Sequence, residues 1–389
     1  MTHPGAPPGI RGAPDEASER ETVRSPLPDF PWDRLLPDKQ RAAAHPDGIV
    51  DLSVGTPVDP TPEVVQQALA RAADSPGYPT TQGTQELREA AAGYLHRRLG
   101  VPGVSPDAVI PTVGSKEFVA WLPTMLGLGP GDVVVIPEAA YPTYAVGAQI
   151  AGCTVVATDS TVALGPERVK LVWLNSPSNP TGKIFPADHL AKVVAWARER
   201  GALVASDECY FEFGWDARPV SVLDPEVCGG SHEGLIAVHS LSKRSNLAGY
   251  RAGFVAGDSS CVQELLGVRK HAGMIVPGPV QAAMTAALHD DAHADEQRSR
   301  YAARRDTLRH AFESAGFRVD HSQGSLYLWA TRDEPCADTV RWCADRGVLV
   351  TPGDFYGAAG ARHVRVAFTA TDERVAAAAT RLLATRDLA

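Results

Sequence analysis

Short apolar runs alternate with longer stretches in which apolar residues recur every three or four positions. The runs are VVVIP (133–137), LVWLN (171–175), ALVAS (202–206), LIAVHS (235–240) and AGFVAG (252–257). Between two of them, Leu190, Val193, Val194 and Ala197 mark one face of a helix over 187–200, with Gly201 as its stop. Phe118, Val119, Leu122, Met125 and Leu126 do the same over 115–126, after Gly114 and Ser115. Strands that are apolar throughout rather than alternating, separated by helices, predict a mainly parallel sheet covered on both faces. This part of the chain reads as an α/β domain.

After about residue 285 the pattern changes. A long polar helix (292–314) is followed by SLYLWA (325–330), a helix near 336–345, GVLVTPG (347–353), HVRVAF (363–368) and a last Ala-rich helix, the order of an α+β domain. Residues 1–28 carry Pro, Gly, Ser and charge with almost no large apolar side chains, so they cannot offset their ordering entropy and are expected to be a disordered tail. Just beyond it, Phe30, Trp32, Leu35 and Leu36 are expected to pack on the body. The expected division is a tail (1–28), an N-terminal segment packing with the small domain (29–54), a large domain (55–284) and a small C-terminal domain (285–389).

A length of 389 residues suits two such domains. Hydrophobic residues make up 44% and charged residues 21%, and no apolar run approaches the roughly 20 residues that cross a bilayer. The net charge of -9 argues against nucleic acid or an anionic membrane as partner and favours a small-molecule substrate. The six cysteines never form a C-x-x-C pair, so no metal site is expected and the thiols read as reduced. With no secretory signal pattern at the N-terminus, the expected location is the cytoplasm.

Four features fall at strand ends, where ligands of open α/β sheets bind. NSPSNPTG (Asn175 to Gly182) follows LVWL and, by itself, is an ordinary Pro/Gly turn. DECY (Asp207 to Tyr210) follows ALVAS, where a lone acid is most often a helix cap. Ser240, Ser242 and Lys243 close another strand ahead of Arg251, so hydroxyl and guanidinium donors suited to a phosphate lie beside an amine. Gly114 to Glu117 (GSKE) opens a helix whose unpaired N–H groups can receive an anion. Together they supply what pyridoxal phosphate chemistry requires: a Schiff-base lysine, an acid for the pyridinium nitrogen, and a phosphate cup.

On these motifs the chain, over roughly residues 30–389, resembles the class I/II aminotransferases of fold type I. The resemblance implies a large domain with a mainly parallel seven-stranded sheet and a smaller α+β domain. It implies that Lys243 is the Schiff-base lysine and proton carrier, that Asp207 holds the pyridinium proton, and that Asn179 and Tyr210 bond the cofactor's 3′ oxygen. It also implies that Tyr141 of PEAAYPTY stacks on the ring and that Ser115, Lys116, Ser240 and Arg251 form the phosphate cup. Arg365 in HVRVAF matches the arginine that grips the substrate α-carboxylate, and Gly55 the glycine lying against the substrate. Tyr78 matches a tyrosine that reaches the phosphate of the neighbouring subunit, which implies a homodimer with shared active sites.

His239 has no second histidine at ligand spacing and reads as a structural strand-end residue; Trp173, Trp196 and Trp329 read as core. The longer strings FPWDRL (30–35), HPDGIVDLSVGTPVDPTP (45–62), ADSPGYPTTQGTQELR (73–88) and HSLSKRSNLAGYRAGFVAGD (239–258) look like those of actinobacterial N-succinyldiaminopimelate aminotransferases. That narrower likeness implies exchange of an amino group between glutamate and N-succinyl-2-amino-6-oxopimelate. The alternatives are an aromatic or broad-specificity aminotransferase or a β-lyase of the same fold, and a paralogue serving secondary metabolism. A regulator built on this fold is disfavoured, because the N-terminal tail is too poor in apolar periodicity to form a helix-turn-helix.

Overall fold

A computed structural model of the chain describes residue 27 and residues 31–161, 164–165 and 168–384. The tail expected over 1–28 lies outside the described residues apart from Leu27, and so does Phe30. In chain order the strands are β1 (Val50–Asp51), β2 (Val109–Val113), β3 (Val133–Ile136), β4 (Thr154–Ala157), β5 (Val169–Asn175), β6 (Leu203–Asp207) and β7 (Leu235–Ser240). They continue with β8 (Ala252–Gly257), β9 (Arg318–Asp320), β10 (Tyr327–Thr331), β11 (Val348–Leu349), β12 (Thr351–Pro352) and β13 (Val364–Ala367).

Seven strands form one sheet in the order β2-β8-β7-β6-β5-β3-β4, parallel except for β8, which runs against both of its neighbours. Alternate residues of each strand enter opposite cores, which is why the runs are apolar throughout. Val134, Leu171, Trp173, Ile236 and Val255 join Phe118, Leu122 and Tyr144 on one face. Val135, Val172, Val204, Ala237 and Phe254 join Tyr94, Leu190, Val194 and Met284 on the other. Two strands of this sheet, β2 and β4, were not among the apolar runs: VIPTV contains Pro and Thr, and TVVA is an edge strand exposed at both ends.

A second sheet, β12-β13-β10-β9, is antiparallel, and β1 pairs with β11 as a separate two-stranded parallel unit. GVLVTPG therefore does not form one strand. Its first half pairs with β1 and its second with β13, the change falling at Val350, after which Pro352 has no N–H to extend a ladder. Leu35, Ala42, Val50 and Leu52 enter the same core as Tyr301, Phe312, Trp329 and Phe368. Trp32 packs edge-on to Phe355, with ring centroids 5.7 Å apart. Leu36, expected to dock, is instead 58% exposed, because it begins the helix Leu36–Ala43 at about 120° around the axis from the buried Ala42.

The loop that carries Gly55 is anchored by charge. Asp59 accepts from Arg304 Nη1 and Nη2 at 2.7 Å each and from Gln297 Nε2 at 2.8 Å, while Asn246 bonds Gln297 and Pro60 O. Arg304 and Gln297 lie on the long helix Ala292–Ser314. No helix among the described residues is long and apolar enough to cross a membrane, and all six cysteines are free thiols.

Candidate active site

The carboxyl ends of β2 and of the parallel strands, and the start of β8, lie along one edge of the large sheet. Register fixes this: Val113 pairs with Ala252, and Ser240 with Gly253. The helix Gly114–Met125 starts directly after β2 with no side-chain cap, so its first N–H groups are available to an anion. Gly114 is left-handed at φ 71°, and a side chain there would come within 2.4 Å of the Arg251 guanidinium. A side chain at Gly253 would approach Ser115 N at 3.1 Å. Ser240 accepts from Ser242 N at 3.2 Å, capping the short helix Leu241–Arg244 that carries Lys243. Ser115, Lys116, Ser240 and Arg251 thus share one corner, with Lys116 and Arg251 exposed.

Asp207 ends β6 in the centre of this edge and is buried. Its Oδ2 accepts from Tyr144 Oη at 2.7 Å and its Oδ1 from Cys209 N at 3.1 Å. Burial raises its pKa against those hydrogen bonds, and no cation bridges it among the described residues. Asn175 Nδ2 donates to Asp207 O at 2.9 Å, and Asn175 Oδ1 accepts from Asn179 N at 2.7 Å, so the NSPSNPTG turn is tied to the acid's own backbone.

On the opposite side, Lys243 Nζ donates to Gly55 O. Burial lowers the lysine pKa, which favours the neutral, nucleophilic amine. Arg365 is 3% exposed and donates through Nη1 to Asn179 Oδ1 at 2.9 Å and through Nη2 to Ser53 O at 2.6 Å. Its guanidinium lies 4.1 Å from the ring centroid of Tyr327 and 5.0 Å from that of Tyr356. It has no carboxylate partner among the described residues, and its Nε is buried without an acceptor. Tyr210 Oη lies 2.9 Å from Tyr327 Oη.

The structure therefore gathers Gly55, Asn179, Tyr210, Lys243 and Arg365 at one end, Asp207 at the centre, and Ser115, Lys116, Ser240 and Arg251 at the other. Tyr141 stands edge-on to Tyr144 at 5.8 Å between centroids. Tyr78 is apart from them: it is fully exposed in the loop before the helix Gln85–Tyr94 and meets none of these residues within the chain. His239 is a core residue stacked on Phe254 at 5.0 Å; burial drives its pKa down to about 3 and that of neighbouring Glu208 up to about 7. Trp173 and Trp329 are buried, while Trp196 is half-buried beneath Arg200.

Sequence reading passed over Tyr144, Tyr327 and Ser53. Tyr144 had a signal, as the second tyrosine of YPTY on the buried face of a short helix. Tyr327 had another, standing two residues from Trp329, which pairs directly with Arg365. Ser53 acts through its carbonyl, which no side-chain pattern announces.

These residues fit a phosphorylated pyridine aldehyde. Gly114 and Gly253 leave open the space that a side chain would fill beside Arg251 and Ser115 N, Asp207 is a buried carboxylate with no cation beside it among the described residues, and Lys243 is an amine of depressed pKa. The family model for aminotransferase class I and II matches residues 47–382. The chain is 64% identical to the 4-dedimethylamino-4-oxo-anhydrotetracycline transaminase OxyQ of Streptomyces rimosus, over 92% of this chain and 99% of that one. It is 63% identical to a protein of Mycobacterium tuberculosis named as a probable aminotransferase, over 94% of this chain and 88% of that one. An aminotransferase structure from Neisseria meningitidis superposes with a TM-score of 0.84 at 29% identity, covering 93% of this chain and 98% of that one. A corner of backbone N–H and guanidinium donors, a buried acid and a lysine on this seven-stranded sheet, with a family match over most of its length, make the chain a member of the pyridoxal-phosphate-dependent class I and II aminotransferases.

Proposed function

We propose that the enzyme moves an amino group from glutamate to N-succinyl-2-amino-6-oxopimelate, with Arg365 holding the α-carboxylate in both half-reactions. The observation that carries the carboxylate role is Arg365 itself: a buried guanidinium with no acidic partner among the described residues, presented between Asn179 and the Ser53 carbonyl. Leaving a buried cation unpaired is costly, and a bound carboxylate offsets that cost with two parallel hydrogen bonds. Bound pyridoxal phosphate supplies a ring that accepts the electron pair left when the substrate α-carbon loses its proton. Lys243 Nζ takes that proton from the donor and returns one to the acceptor's carbon. Asp207, oriented by Tyr144, favours the charged ring nitrogen. Ser115, Lys116, Ser240 and Arg251 hold the phosphate, Asn179 and Tyr210 the ring oxygen, and Tyr141 the ring face.

The protein acts as a homodimer in this reading, with Tyr78 completing the partner's phosphate corner; its full exposure in the single chain supports this. A second reading is favoured by the relative named for a tetracycline precursor: an acceptor whose oxo group sits on a fused ring system, with an amino acid still the donor. Loading the enzyme with amino groups from glutamate and offering each acceptor in turn separates the two. Turnover with the succinylated oxo acid supports the first, and turnover only with the polycyclic ketone supports the second.

A further inference from the structure

We propose that Tyr327 is a positioning residue for this reaction: its hydroxyl donates to Tyr210 Oη and thereby commits the Tyr210 proton to the cofactor. This rests on the reading of Lys243, Tyr210 and Arg365 given above. Tyr327 lies on β10, is 3% exposed, and stands edge-on to Tyr210 with ring centroids 5.6 Å apart. A phenol has one proton to give. Within the described residues the only hydrogen-bond partner of Tyr327 Oη is Tyr210 Oη, at 2.9 Å. Were Tyr210 the donor in that pair, the Tyr327 proton would be buried with no acceptor, an arrangement that costs the full desolvation penalty of the group. The same holds for the Tyr210 proton until the ring oxygen assigned to it is in place; with that acceptor present, both protons are satisfied only when Tyr327 is the donor and Tyr210 gives its own proton to the ring oxygen.

Two further contacts hold Tyr327 in this role. Its hydroxyl occupies the space of the missing side chain at Gly55, where a Cβ would lie 2.4 Å from Oη, and Gly55 O is the acceptor for Lys243 Nζ. Its ring face carries the Arg365 guanidinium. The hydroxyl serves the cofactor end and the ring serves the carboxylate anchor, so the two roles separate by substitution: Tyr327→Phe removes the first and keeps the second.

The test uses the pyridoxal-phosphate-loaded enzyme and reads the pH midpoint of its visible absorbance. A donor to the ring oxygen stabilises the deprotonated chromophore, so its loss raises the midpoint. Tyr327→Phe is expected to raise it by about half a pH unit or more, Tyr210→Phe by at least as much, and the double substitution no further than Tyr210→Phe alone. Glutarate, a dicarboxylate with no amino group, should bind Tyr327→Phe within about twofold of wild type and Tyr327→Leu several-fold more weakly, because only leucine removes the ring beneath Arg365. An unchanged midpoint in Tyr327→Phe, or additive shifts in the double variant, overturns the proposal. A wild-type protein that develops no visible chromophore overturns instead the cofactor assignment on which it rests.

Discussion

Tyr144 donates its hydroxyl proton to Asp207 Oδ2 at 2.7 Å while its ring lies stacked on Trp173 at 4.9 Å between centroids. The stack fixes the ring, the ring fixes the hydroxyl, and the hydroxyl holds one carboxylate oxygen while Cys209 N holds the other. Removing the hydroxyl leaves a buried acid with one donor fewer. In Tyr144→Phe the Asp207 pKa should move further up and pyridoxal phosphate should be held more weakly, by roughly 1.5–3 kcal/mol for a hydrogen bond to a charged group. Equilibrium dialysis of the cofactor checks this, and wild-type affinity in the variant would contradict it.

Asp207→Ala should leave the fold intact but weaken cofactor retention and lower turnover severely, because an uncharged pyridine ring is a poor electron sink. Circular dichroism and steady-state kinetics together report on it. Near-wild-type turnover would remove Asp207 from the mechanism.

Lys243→Ala should abolish transamination. Borohydride reduction of the wild-type holoenzyme followed by peptide mapping should place the pyridoxyl group on Lys243, whose lowered pKa suits it to attack an aldehyde. A label on any other lysine reassigns the site.

Arg365→Lys should impair both half-reactions by about tenfold or more, since an ammonium keeps the charge but loses the two-pronged geometry at a buried position. Stopped-flow measurement of each half-reaction decides. An effect on only one of them would mean that the α-carboxylate anchor lies elsewhere for the other.

Tyr78→Phe should loosen pyridoxal phosphate by roughly 1–2 kcal/mol if its hydroxyl reaches the partner's phosphate corner. Sedimentation of the loaded enzyme should show a dimer. A fully active monomer would contradict both statements.

The large sheet was legible because strands buried on both faces have a continuous apolar signature, and five of its seven strands were read from it. The two others, β2 and β4, carry Pro, Thr or an exposed edge, so their apolar signal was diluted. In the site, residues within short motifs at strand ends, such as Asp207 in DECY or Lys243 in SLSK, stood out because several chemical types coincided. Tyr144 and Tyr327 did not, since their importance arises only when the sheet brings them to Asp207 and Tyr210. Tyr327 is 117 residues from Tyr210, and no local pattern encodes that meeting. The docking expected of Leu36 failed for the converse reason: an apolar residue at a helix start says nothing about which face it takes until the neighbours are in place.

The bond from Arg365 to Ser53 O spans 312 positions of sequence, and Ser53 also receives Thr351 Oγ1 at 2.6 Å. Asp207, Lys243 and the four residues of this chain proposed to hold the phosphate all lie between residues 114 and 251. The proposed grip on the substrate is different, because it needs a carbonyl from near the beginning and a strand from near the end. Such long-range closure is the slowest kind to form. On a growing chain, the residues assigned to the cofactor thus emerge before the strand that carries Arg365, and a polypeptide cut short after about residue 360 would lack β13 and with it the proposed anchor for the α-carboxylate.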